Sequence, residues 1–208
     1  MGINGISNIS WQGYRHKETG IIVYYDSNET TLFPIRATIC KKGKKAVDAD
    51  PNYESATYGL YSCCASRHRK NFVKNKCGYV FFMTKYQGTN AKLKDKIILT
   101  GYYKIGSIAE VQKLHLRYLE ENSCFSEKLC YALKSSANEK GENDVVFLSD
   151  EDGYVLNAAA LKSLGIDKKI TKATKIELDE EHTKKLLKKF DGKENKISDY
   201  IKQTQNLS

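Results

Sequence analysis

Tyr79 to Met83 place five apolar or aromatic side chains in unbroken succession, and Thr84, Lys85 and Tyr86 extend the run to a turn-forming Gln87-Gly-Thr-Asn. A run of that length is far too short to span a membrane, and it has no polar side to leave in water. It reads as the clearest buried strand of the chain. Gly20 to Tyr25 reads as another strand, and so does Lys96 to Ile105. The latter pairs naturally with the Tyr79 strand as an antiparallel neighbour across a long connection. Gly101 inside it predicts a bulge or a close approach by another group.

The same region carries a one-signed charge. From Ser55 to Lys94 forty consecutive residues include eight Lys or Arg and no Asp or Glu. The charge is densest from Ser66 to Lys76, ahead of the Tyr79 strand. The formal net charge of +9 comes largely from this block. Basic charge set within a folded region projects a directed field that favours polyanions, nucleic acid first. Arg67, His68, Arg69, Lys70, Lys74 and Lys76 are the candidate phosphate contacts. Phosphate contacts hold a ligand without reading it, so base recognition needs rings and base-edge contacts. Tyrosine is over-used, with 14 Tyr beside 7 Phe and 1 Trp. Trp11, Tyr14, Tyr58, Tyr61, Tyr102 and Tyr103 are the candidate stacking rings. Tyr102 and Tyr103 are adjacent on a strand, so they face opposite ways.

Elsewhere the chain reads as follows. Leu32 to Cys40 is a strand after a turn at Asp26 to Glu29. Lys41 to Tyr53 is a loop. Tyr58 to Cys64 is a strand or the opening of a helix. Ser107-Ile-Ala-Glu110 has the pattern of a capping box, ahead of Ile108, Val111, Leu114, His115, Tyr118 and Leu119 at helical spacing. A second helix covers Ser126 to Leu133, and Ser135 to Asn143 is a polar loop. Val145 to Leu148 is a short strand followed by an acidic turn at Ser149 to Gly153. Asn157 caps a helix that stops at Gly165. Residues 1–166 thus make a β-rich unit with flanking helices. Residues 167–208 are a charged helical extension, in which Leu186, Leu187 and Phe190 line one side of a helix and Glu180–Lys184 and Glu181–Lys185 are spaced to pair. Strands first and helices later predict an α+β fold.

Signatures of particular chemistries are missing. There is no phosphate-binding GxxxxGK[ST] loop, no GxGxxG and no GxSxG. Cys63, Cys64, His68 and Cys77 are metal-ligating types, but their spacing is not that of a zinc site. Cys64 and His68, four apart, could meet on one helical turn, without a third group to orient them. No catalytic residue, metal or cofactor is assigned. The six cysteines lack a CxxC pair, the N-terminus lacks a secretory pattern and no apolar run approaches the roughly 20 residues of a membrane span, which predicts a cytoplasmic protein away from membranes.

The order of Tyr58-Gly-Leu-Tyr-Ser-Cys-Cys-Ala-Ser-Arg67, the Gly78-Tyr-Val-Phe-Phe strand and Ile97-Ile-Leu-Thr-Gly-Tyr-Tyr resembles the PUA-like superfamily, which includes the PUA, ASCH, EVE and YTH domains and nucleotide-modification-associated domains. The similarity spans roughly residues 20–106, with Tyr79 where an Asp is common in the family. It implies a strongly bent β-barrel flanked by helices, binding to RNA or DNA and, in the YTH and EVE branches, a modified base held in an aromatic pocket. Two alternatives stand beside that reading. One is an enzyme acting on nucleotides or nucleic acid through Cys64 or His68. The other is a module whose C-terminal helices bind a protein partner.

Overall fold

The structure is a computed structural model that describes residues 9–25, 37–39, 45–47, 51, 53, 55–59, 66–111, 130–136, 144–149, 151–166, 170–171, 174–199 and 202. Its elements in chain order are β1 (Gln12–Gly13), β2 (Lys17–Tyr24), β3 (Ala37–Ile39), β4 (Lys45–Val47), β5 (Thr57–Tyr58), α1 (Ser66–Asn75), β6 (Cys77–Lys85) and β7 (Ile97–Val111). There follow β8 (Cys130–Ser135), β9 (Val145–Phe147), β10 (Tyr154–Val155), α2 (Ala158–Ser163), β11 (Lys175–Leu178) and α3 (Glu180–Leu187). The class is α+β, as the order of patterns implies.

The main sheet runs β11-β2-β6-β7-β8-β5, with β1, β9 and β10 also on β7. It is mixed: β2 and β6 are parallel, and the other pairs are antiparallel. The path begins at β11 and ends at β5 without closing, so the sheet is open, in place of the expected barrel. β7 accounts for the shape. Its first half pairs with β6, β9 and β10, and its second half with β1 and β8. The register slips at Phe82/Met83 and again at Ile105/Ser107, and bulges of this kind turn a strand.

The central strands are covered on both sides, which explains their continuous apolar runs. Val80, Phe82, Ile21, Val23, Tyr103 and Ile105 pack on one face with Phe72 of α1, Tyr53 and Tyr58. Tyr79, Phe81, Met83, Ile22 and Leu99 pack on the other with Leu148, Leu156, Leu186 and Phe190.

Gly101 shows both expected features: the slip lies beside it, and β9 crosses it closely. A Cβ there would collide with the Val146 carbonyl oxygen and stand 2.7 Å from the Tyr53 hydroxyl. The carbonyl belongs to a paired backbone and cannot retreat cheaply. Gly101→Val should therefore cost about 3 kcal/mol. In urea unfolding the midpoint should fall with the slope unchanged.

Several expectations are corrected. Ser107 to Val111 is strand, so the Ser107–Glu110 pattern caps no helix: these residues are paired to β8, and Ser107 and Ile108 also to β1. Cys130 to Ser135 is also strand, in place of the end of a second helix, with Ala132 and Leu133 fully buried. Lys45 to Val47, expected in a loop, pairs with Ala37 to Ile39. The C-terminal extension is not purely helical, because β11 adds a strand to the sheet edge beside β2. Its apolar stripe is used internally: Leu186 and Phe190 are buried in the second core, so they are not a surface for a protein partner. The expected Glu180–Lys184 and Glu181–Lys185 pairs form at 2.6 Å each. Asn157 caps α2 by accepting from the Ala160 amide at 2.8 Å. The segments 26–36 and 112–129 lie outside the described residues, and with them Leu114, His115, Tyr118 and Leu119 of the proposed helix. Asp150 of the acidic turn lies outside them too.

Candidate nucleic-acid interface

The dense basic run folds as helix α1, and helical periodicity sorts its side chains. Arg69 and Phe72, three apart, point inward and are 0% exposed. Lys70 and Lys74, four apart, lie on the outer side, Lys70 half-buried and Lys74 exposed. Lys74 stands in the last turn, where a cation suits the helix dipole. Lys76 ends the helix with φ of 54°, its amide donating to the Val73 carbonyl at 3.1 Å, before the chain enters β6.

Arg69 is not a phosphate contact. Its Nε donates to the Tyr131 carbonyl of β8 at 2.6 Å, and its guanidinium lies 5.5 Å from the centre of the Tyr58 ring. Gly59, with φ of +93°, makes room for it: a Cβ there would overlap Arg69. Arg69 thus links α1 to β5 and β8 from inside. Its burial removes it from any ligand, and this corrects its place in the basic strip. His68 is half-buried. Arg67 lies on α1, but its side chain is outside the described set. The Lys70 charge acts on the Tyr131 hydroxyl, which burial pushes up, the Glu110 carboxylate reinforcing the shift and Lys70 opposing it.

Two further cations come from the segment that joins β1 to β2 and from the first residue of β2. Arg15 and Lys17 are exposed, and the Lys17 amide donates to the Lys76 carbonyl at 2.7 Å. Tyr14 fastens the same segment to α1 by donating from its hydroxyl to the Phe72 carbonyl at 3.2 Å, with the two rings 6.0 Å apart. Burial raises the Tyr14 hydroxyl pKa. The result is a corner bearing Arg15, Lys17, Lys74 and Lys76. Among the described residues none of these four is in an ion pair. Some lysines elsewhere are paired: Lys85 with Asp95 at 2.5 Å, Lys175 with Glu177 at 2.5 Å, and Lys196 with Asp152.

The stacking candidates do not converge. Tyr58 and Tyr103 are buried in the first core, where Tyr103 meets Phe82 at 4.7 Å and Tyr53 at 5.2 Å. Tyr102 faces the other way, as adjacency on a strand requires, and meets Phe190 at 5.0 Å and Phe81 at 5.6 Å. These three serve packing, which corrects their place as base-stacking rings. Tyr14 has one face toward Phe72. Trp11 is half-buried, with the Lys134 ammonium 5.5 Å from its ring centre. Tyr61, Cys63 and Cys64 lie outside the described residues.

A groove of about 260 Å³ adjoins the corner, lined by Lys17, Thr19, Asn75, Cys77, Glu177 and Asp179 among others. Its carboxylates make it a poor anion site. Burial pushes the Cys77 thiol up, so it is not a ready nucleophile. Among the described residues no three His, Cys, Asp or Glu side chains are grouped to hold a metal, and no helix is long and apolar enough to cross a membrane.

The sequence pattern does not single out Arg15, Lys17 or Lys134 among the cations. The available signal was local: Arg15-His16-Lys17 follows directly on Trp11 and Tyr14, an aromatic stretch running into a basic one. No protein-family model, no curated protein and no solved structure matches the chain.

Proposed function

We propose that the protein binds nucleic acid through the corner formed by Arg15, Lys17, Lys74 and Lys76, with Lys70 at its margin. The observation that carries this reading is the set of four exposed cations, brought together by the Lys17–Lys76 backbone bond and left without carboxylate partners among the described residues. Uncompensated cations at one place attract phosphates and release their counterions. Lys76 adds weight. It occupies the left-handed region, which costs a residue with a Cβ about 1–2 kcal/mol and suits Gly or Asn better. A lysine at a position with such a cost is compatible with a functional side chain, although Ala56, Asp95 and Ser149 share the region. The reading keeps the partner that the PUA-like resemblance implies. It does not include an enclosed modified base, because the described rings form no converging set.

Binding of labelled oligonucleotides, measured by anisotropy across a salt series, tests it. Changing Arg15, Lys17, Lys74 and Lys76 together to Ala should weaken binding and reduce the slope of log K against log salt by about 3. Changing the ion-paired Lys184 and Lys185 should leave the slope alone. An unchanged slope in the fourfold variant would remove the basis of the reading.

A further inference from the structure

Trp11 is the only tryptophan of the chain, and the two cores leave it out. Burial of so large a ring would normally be worth a great deal, so a Trp outside the core is informative. The ring is half-buried, and the Lys134 ammonium lies 5.5 Å from its centre.

Its surroundings form a row. Tyr14 and His16 turn toward the protein: Tyr14 lies on Phe72, and the His16 ring stands 6.4 Å from that of Tyr79. Gly13, Arg15 and Lys17 alternate with these two along the segment and share its other side, and the half-buried Trp11 precedes them. That side is open, since Arg15 and Lys17 are exposed and a Cβ on Gly13 would meet nothing within 4 Å. A flat ring, a gap without a side chain and two cations therefore follow one another over at most about 20 Å. Lys74 and Lys76 flank the cationic end through the Lys17–Lys76 bond.

We infer that the ligand of the basic corner is single-stranded nucleic acid, with an unstacked base lying on Trp11 and its backbone running over Gly13 to the cations. The inference rests on the nucleic-acid reading above. A duplex hides its base faces within the stack and offers this ring nothing, whereas an unpaired strand presents both a base face and phosphates. Lys134, displaced from the ring by the base, is then placed to meet a neighbouring phosphate.

Trp11 is its own reporter. Single-stranded DNA and RNA of about twelve nucleotides, and a duplex of equal length, are titrated while Trp11 emission and anisotropy are followed. The single strands should quench Trp11 in step with binding, and the duplex should bind more weakly without quenching it. Trp11→Ala should lower single-strand affinity about tenfold with the salt slope unchanged, and Trp11→Phe should keep most of the affinity. A response with either sugar supports the inference, and the stronger of the two names the class. Equal affinity for duplex and single strand, with Trp11→Ala without effect, would overturn the stacking inference while a steep salt slope preserved the basic corner. No binding of any of the three would overturn both.

Discussion

Arg69→Ala should destabilise the fold by about 3–4 kcal/mol, by removing a long buried side chain and leaving a buried acceptor without its donor. The side chain is fully buried, and it supplies the 2.6 Å bond to the Tyr131 carbonyl and the cation over Tyr58. Gly59, with φ of +93°, packs directly against it and has no side chain to fill the space left by truncation. Arg69→Met separates packing from charge. A buried ion replaced by an apolar chain of similar volume often costs little, so about 1 kcal/mol is expected. Urea unfolding followed by circular dichroism measures both. Oligonucleotide affinity of folded Arg69→Met should match the parent within about twofold, as expected for a cation that touches no phosphate. A large loss of affinity at unchanged stability would refute the assignment of Arg69 to the interior. The comparison also warns that mutating the whole Arg67 to Lys70 run would confuse unfolding with loss of binding.

The strip illustrates what the sequence carries and what it does not. The sign of its charge is plain, because no acid interrupts Ser55 to Lys94. Which cations reach solvent depends on the helix that the strip forms, whose period turns Arg69 inward beside Phe72 and leaves Lys74 outside. The second half of the corner is hidden for another reason. Tyr14 and Phe72 are 58 positions apart, and the bonds that join their segments follow from folding alone. The fold divides in the same way. β2, β6 and the first half of β7 are legible because burial on both faces writes continuous apolar runs. The second half of β7 is not, because Ser107 to Val111 satisfies a helix-start pattern locally. Its pairing with β1 and β8 is non-local and overrides that preference.

A chain ending at Ile166 should fail to fold stably, in contrast to what a separable helical extension would allow. Ile176, Leu178, Leu186 and Phe190 are buried in the second core beside Phe81 and Leu99. At about 1.5–3 kcal/mol for each side chain, their loss is comparable with the roughly 5–15 kcal/mol that holds a domain together. β11 also covers the edge of β2 from Gly20 to Val23, and an exposed apolar edge promotes aggregation. Further along, the Asn195 side chain accepts from the Phe147 amide at 3.1 Å and donates to the Val145 carbonyl at 2.8 Å, fastening this segment to β9. Size-exclusion chromatography and circular dichroism should show aggregation and lost structure. Phe190→Ala, a milder version, should lower stability by about 3 kcal/mol. A truncated chain with its spectrum and urea midpoint intact would show that the segment is separable. The expected failure bears directly on the interface: β2 begins at Lys17, so a sheet that loses its β11 edge loses the strand that holds the basic corner to Lys76.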